Sequence, residues 1–145
     1  MPRKQSTMRR RVLIVDDEES MRLLLASSLS AELDVEVQLA GTCEEALRLA
    51  GTHAYDAILL DLMMPGVGGR GVLSAVRGPG PNAATPIIIV SAVTEKHTIE
   101  ACLAAGATAF VPKPVKPAAL AKIVKRHLAA QTSKGSDGRG TNLQR

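Results

Sequence analysis

Four short apolar runs, each broken by a residue able to do chemistry, restrict this chain more than any other feature of its sequence. Val12 to Val15 ends in Asp16 and Asp17, Ala57 to Leu60 in Asp61, Pro86 to Val90 in Ser91, and Ala107 to Val111 just before Lys113. None of the four alternates polar with apolar, so each reads as a strand covered on both faces, the pattern of a parallel sheet between helices. Val35, Val37 and Leu39 do alternate, with Glu36 and Gln38, which places a half-buried strand nearer a sheet edge.

Helical spacing fills the intervals. Met21, Leu24, Leu25, Ser28 and Leu29 form one stripe, with Arg22 and Glu32 off it. Thr42 and Glu45 make a capping-box pattern that opens a short helix through Ala50. Further helices are expected around Val72 to Val76, from about Thr94 to Ala105 with Gly106 as its stop, and behind Pro117, where Leu120, Ile123, Val124 and Leu128 share a face. Five strands alternating with five helices define the expected fold class, an α/β doubly wound five-stranded parallel sheet with helices on both faces.

Charge is unevenly placed. Residues 1–11 carry five cationic side chains and residues 131–145 a net two, so the +4 of the whole chain leaves residues 12–130 at −3. The basic balance therefore belongs to two tails, residues 1–10 and 131–145, expected to be disordered arms around a domain at 11–130, and a nucleic-acid partner is not expected for the chain as given. The apolar runs are far shorter than the roughly 20 residues that cross a bilayer. The run behind the basic start stops at Asp16, short of a signal-peptide core of about 7 to 15 residues, so no membrane association and a cytoplasmic location are expected. Cys43 and Cys102 show no CxxC spacing, and His53, His97 and His127 no metal-ligand interval, so all five are expected to be structural. Tyr55 reads as packing, and Gly78 to Pro86 as a stiff connector without assigned function.

In an open parallel sheet, ligands sit outside the carboxyl ends of the strands, which is where Asp16, Asp17, Asp61, Ser91 and Lys113 fall. Singly, each is more often a helix cap or a surface group. Three carboxylates at one mouth, however, repel one another unless a cation compensates, and an all-oxygen site with few protein ligands suits Mg²⁺. A carboxylate beside such an ion can attack phosphorus, with a hydroxyl and an ammonium, Ser91 and Lys113, to receive the phosphoryl oxygens.

Across Arg11 to Leu128 the sequence resembles the receiver domains of two-component response regulators. The resemblance rests on VLIVDDEE (Val12 to Glu19), DAILLDLMMPGVGG (Asp56 to Gly69), TPIIIVSA (Thr85 to Ala92) and AGATAFVPKP (Ala105 to Pro114), with intervals of 44, 30 and 22 residues separating Asp17, Asp61, Ser91 and Lys113. It implies a flavodoxin-like sheet of order 2-1-3-4-5. It also implies Asp61 as phosphoacceptor, Asp17 and the Met63 carbonyl with Asp61 on Mg²⁺, and Asp16 holding the metal through water. Ser91 matches the switch hydroxyl, a departure from the commoner Thr, Phe110 the aromatic switch position, and Lys113 the phosphate-binding lysine ahead of a cis Lys113-Pro114 bond. The implied partners are a sensor histidine kinase or phosphotransfer protein and a downstream protein target. The target would meet the face of the fourth helix, fifth strand and fifth helix, around Glu95, Lys96, Ile99, Lys122 and Arg126, and phosphorylation-dependent dimerisation is a further implied outcome.

The expected role is a phosphorylation-driven switch rather than a turnover enzyme. About 15 residues follow the last helix, so the chain as given is expected to act through a protein partner; the alternatives are an adaptor that works without phosphorylation and the receiver part of a longer DNA-binding regulator. A metal-dependent phosphatase would want a second Asp where Met63 stands, and a flavin-binding domain would not place Asp16, Asp17, Glu18 and Glu19 in its phosphate loop.

Overall fold

The computed structural model describes residues 9–140, with side chains for 9–129. Its strands are β1 (Arg10–Val15), β2 (Val35–Ala40), β3 (Ala57–Leu60), β4 (Ile87–Ser91) and β5 (Ala109–Pro112). Between and after them lie α1 (Glu19–Glu32), α2 (Cys43–Thr52), α3 (Gly68–Arg77), α4 (Lys96–Ala104) and α5 (Pro117–Gly140). All strand pairs are parallel, in the order β2-β1-β3-β4-β5. This is the flavodoxin-like arrangement that the sequence resemblance implied.

The uninterrupted apolar runs follow from having a core on each side of the sheet. Leu13, Val15, Ile58, Leu60, Ile87 and Ile89 face a cluster built with residues of α2, α3 and α4. Val12, Ile14, Ala57, Leu59, Ile88 and Val90 face the other, built with α1 and α5. Successive strand residues point to opposite faces, so a strand between two helical layers has no position for a polar side chain. The polar residues are thereby pushed to the strand ends. As expected from its alternation, β2 is an edge strand.

Several local expectations hold and some shift. Thr42 Oγ1 accepts from the Glu45 N–H at 3.0 Å, while the Glu45 carboxylate accepts from Gly41, one residue ahead of the usual capping-box partner, at 3.1 Å. Gly106 ends α4 with a φ of 114°, open to glycine at little cost. Leu24, expected on the buried stripe of α1, is 39% exposed; the stripe is narrower and is carried by Leu25, Ser28 and Leu29. Arg9 and Arg10, expected in a disordered arm, belong to the fold. The Arg9 guanidinium donates to Val35 O at 2.6 Å and pairs with Asp34, and Arg10 opens β1 within 3.8 Å of the Asp56 carboxylate. α5 extends past Ala130 to Gly140, where a disordered tail was expected. The rest of the expected arms, residues 1–8 and 141–145, lies outside the described residues.

Gly69 locks α3 onto the end of β3. A Cβ there would stand 2.2 Å from Asp61 O and 2.5 Å from Leu62 Cα, and the Gly69 N–H donates to Leu62 O at 3.1 Å. The first turn of α3 thus rests directly on the backbone that carries Asp61.

The Gly- and Pro-rich segment 78–86, to which the sequence lends no role, closes around a buried Asn82. Its amide nitrogen donates to Ala50 O and His53 O, both at 2.7 Å, and its oxygen accepts from the Tyr55 N–H at 2.8 Å and the Thr85 hydroxyl at 2.9 Å. Arg77 closes the same corner, donating to Asn82 O, Ala83 O and Gly106 O. An unmade hydrogen bond in a dry site costs about 1 to 3 kcal/mol, so Asn82→Ala should lower the unfolding free energy by about 2 to 4 kcal/mol in a urea titration. A change below about 0.5 kcal/mol, the range of ordinary surface substitutions, would contradict this reading.

Candidate functional site

Backbone pairing carries the strand ends to one edge of the sheet. The Asp61 N–H donates to Val15 O at 3.0 Å, the Lys113 N–H to Ser91 O at 3.0 Å, and the Asp16 N–H to Ala40 O at 3.2 Å. Side chains separated by up to 97 residues meet as a result. One carboxylate oxygen from each of Asp16, Asp17 and Asp61 lies within 4.8 Å of the others. Asp16 is fully buried, Asp61 is 4% exposed, and Asp17 faces solvent.

The two buried carboxylates are held in the same way. Lys113 Nζ donates to Asp16 Oδ2 at 2.9 Å and lies 3.4 Å from Asp61 Oδ2. The second oxygen of each accepts a backbone N–H from two residues on, Glu18 to Asp16 at 3.0 Å and Met63 to Asp61 at 3.2 Å. Asp17 receives no hydrogen bond or ion pair from the described residues. Burial pulls the Lys113 ammonium toward deprotonation, but its bond to Asp16 and the negative charges of Asp61 and Asp16 outweigh that and hold its pKa above the ordinary 10.5.

Three carboxylates facing one ammonium leave an excess of negative charge, and all the donors are hard oxygens. That set fits a divalent cation such as Mg²⁺, with Asp17, which has no partner among the described residues, free to turn toward it.

Ser91 is fully buried beside this cluster, its Oγ accepting from the Val93 N–H at 3.4 Å and making no hydrogen bond to the carboxylates. Phe110, opposite Ile89 in β5, is half-buried against the cluster that includes Cys102 and Ile89. Met63 lies in the loop after β3 with its residue surface 63% exposed. Lys113-Pro114 is cis. Cys43 and Cys102 are buried and unbridged, and Tyr55 is packed with its hydroxyl on Gln38. Among the described residues, Asp16, Asp17 and Asp61 are the one group of three or more with the spacing of a metal site, and that group contains no histidine. Sequence reasoning missed Arg22, whose guanidinium donates to Asp16 O at 2.8 Å. Its place off the apolar stripe of α1 gave no sign of that contact.

Sheet order, an acidic mouth at the strand ends and a half-buried lysine across it define a class, the flavodoxin-like α/β domains with a carboxylate-lined site. The model of the response regulator receiver domain matches residues 12–125, and the chain belongs to that family. It is 34% identical over 122 residues to the DNA-binding response regulator MtrA of Mycolicibacterium smegmatis, covering 84% of this chain and 52% of that protein. To the probable transcriptional regulator ycf27 of Cyanidium caldarium it is 37% identical over 114 residues, 79% of this chain and 44% of the relative. The chain thus spans about half the length of the curated relatives it matches. Among solved structures, a CheY-like receiver domain protein from Methanospirillum hungatei superposes with a TM-score of 0.80 at 27% identity, covering 87% of this chain and 98% of that one. The receiver domain of a Pseudomonas aeruginosa sensor histidine kinase, solved with magnesium in its active-site cleft, gives 0.76 at 29% identity, covering 83% and 98%.

The raised Lys113 pKa fixes a direction for stability. Its contribution is intact below 10.5, where folded and unfolded chains are both protonated, and is lost as pH climbs through the higher folded value. In EDTA, Lys113→Met should be less stable than the parent at pH 8, and the gap in unfolding free energy should narrow above pH 10.5. A gap that stays constant to pH 11.5 would contradict the assignment.

Proposed function

We propose that Asp61 accepts a phosphoryl group from a sensor histidine kinase or a phosphotransfer protein, and that the domain works as a switch rather than as a turnover enzyme on an external substrate. The observation that carries this is the three-carboxylate cluster with Lys113 hydrogen-bonded across its two buried members. Asp16, Asp17, Asp61 and the Met63 carbonyl would hold Mg²⁺, which supplies neutralisation of the charge on the transferring group. Asp61 Oδ attacks in line as the donor's bond to phosphorus breaks, and the Lys113 ammonium is within reach of the incoming oxygens. Asp61 Oδ2 is the weaker of its two contacts, so Lys113 can turn from the carboxylate to the phosphoryl group with little loss.

The switch follows from the neighbours. A phosphoryl group brings about −1.5 to −2 charge and new acceptor oxygens. Ser91, whose hydroxyl has only one long contact, moves to donate to them, and Phe110 turns into the space it leaves. Two charge-assisted hydrogen bonds, from Ser91 and Lys113, give roughly 3 to 6 kcal/mol gross. Driving a two-state equilibrium from 1:99 to 99:1 takes about 5.5 kcal/mol, so the switch needs no larger source. The altered surface is the α4, β5 and α5 face, where Glu95, Lys96, Ile99, Lys122 and Arg126 would meet a protein target or a second copy after phosphorylation.

No helix among the described residues is long and apolar enough to cross a membrane. The proposed phosphoryl donor, rather than that observation, is what supports a cytoplasmic location. A second reading, that the chain is the receiver part of a DNA-binding regulator, is favoured by its covering half the length of relatives so named. The remaining alternative, an adaptor without phosphorylation, is disfavoured by the intact cluster.

Incubation with Mg²⁺ and acetyl phosphate, read by intact mass, should give one phosphoryl adduct that EDTA and Asp61→Asn both abolish. If neither acetyl phosphate nor a panel of histidine kinases yields an adduct on folded protein, the adaptor reading replaces this one.

A further inference from the structure

Asp17 has no partner among the described residues to fix its carboxylate, yet a cation site works only if its ligands are held near their working geometry. What holds Asp17 must therefore be the backbone. The peptides on either side of Asp16 are each pinned once: in the Val15–Asp16 peptide the Asp16 N–H donates to Ala40 O at 3.2 Å, and in the Asp16–Asp17 peptide Asp16 O accepts from Arg22 Nη1 at 2.8 Å. Arg22 reaches this carbonyl from the first turns of α1 and forms no ion pair among the described residues, so it acts here through a neutral acceptor.

The seat of that guanidinium is made by a glycine. Gly41 directly follows β2, and a Cβ on it would come within 2.8 Å of Arg22 Nη1 and 3.2 Å of Arg22 Cζ. Gly41 does not have a positive φ, so its backbone conformation suits any residue. Its N–H bond to Glu45 would survive a methyl group. What the missing side chain provides is room. The only atoms that a Cβ would crowd belong to Arg22, the movable end of a long side chain, so alanine there costs the fold little and moves the guanidinium off its carbonyl.

We propose that Arg22 is a positioning residue for the cation site, orienting the Asp16–Asp17 peptide and through it the Asp17 carboxylate, and that Gly41 is glycine to admit it. The inference rests on the reading of Asp16, Asp17 and Asp61 as a cation site. It does not require that Asp61 accept a phosphoryl group.

Two variants keep the local charge while disturbing the contact, Arg22→Lys and Gly41→Ala. Mg²⁺ binding to the full chain is measured by calorimetric titration, with thermal melting in EDTA to follow the fold. Loss of an outer-sphere contact of this kind typically weakens metal binding about 10-fold or more, and each variant should raise the Mg²⁺ dissociation constant by about that factor, with the EDTA melting point little changed. Adding Gly41→Ala to Arg22→Lys should have no further effect, because the group it displaces is gone. Unchanged Mg²⁺ affinity in Gly41→Ala, or effects of the two substitutions that simply add, would overturn the proposal. A parent that binds Mg²⁺ but takes no phosphoryl group would refute the proposed function and leave this inference standing.

Discussion

The fold is arranged around one electrostatic conflict: two buried carboxylates, Asp16 and Asp61, with a third, Asp17, beside them and a single ammonium between. Taking such charges out of water costs roughly several kcal/mol per ion unless every lone pair and proton finds a partner. Each buried carboxylate is compensated in the same way, one oxygen on Lys113 and the other on an N–H two residues later. The compensation gives every oxygen of Asp16 and Asp61 a partner but is partial in charge and leaves lone pairs unused. The excess negative charge is what makes the mouth receptive to a cation, and the exposed Asp17 is where that excess is least restrained.

Everything else in the domain serves to keep that conflict assembled. Parallel strands bring four chain segments to one edge, and helices on both faces supply two cores that leave the strands no polar position. Gly69 allows α3 to rest on the Asp61–Leu62 backbone, so the loop after β3 is backed by a helix rather than by solvent. Arg22, in the slot left by Gly41, fastens the corresponding turn after β1. The Asn82 and Arg77 corner lies toward the opposite end of the strands, where it satisfies buried backbone groups and has no part in the chemistry.

Much of this was legible in the sequence, because burial on both faces writes itself as uninterrupted apolar runs and the chemistry begins where those runs stop. Asp61 follows β3 and Lys113 follows β5 in the structure as the runs implied. Gly106 and Pro117 mark helix ends for reasons of backbone geometry that a sequence displays directly. Arg22, Gly41 and Asn82 were not legible. Their roles depend on which turns lie side by side once the sheet has formed, and a lone Arg off an apolar stripe or an Asn among glycines and prolines looks like solvent-facing chain. The buried width of α1 was also overestimated at Leu24, because periodicity tells which side of a helix faces inward but not how far its neighbours wrap around it.

If the acidic mouth is a cation site assembled by the folded chain, the melting temperature must depend on Mg²⁺ concentration. A ligand that binds only the folded state stabilises it by RT ln(1 + [L]/Kd), so the melting temperature of the parent should keep climbing with the logarithm of Mg²⁺ once the site begins to fill. The climb should disappear in Asp17→Asn, which leaves the contacts of Lys113 with Asp16 and Asp61 in place. A parent whose melting temperature is indifferent to Mg²⁺, or a climb that Asp17→Asn does not diminish, would mean that the acidic mouth is not a cation site.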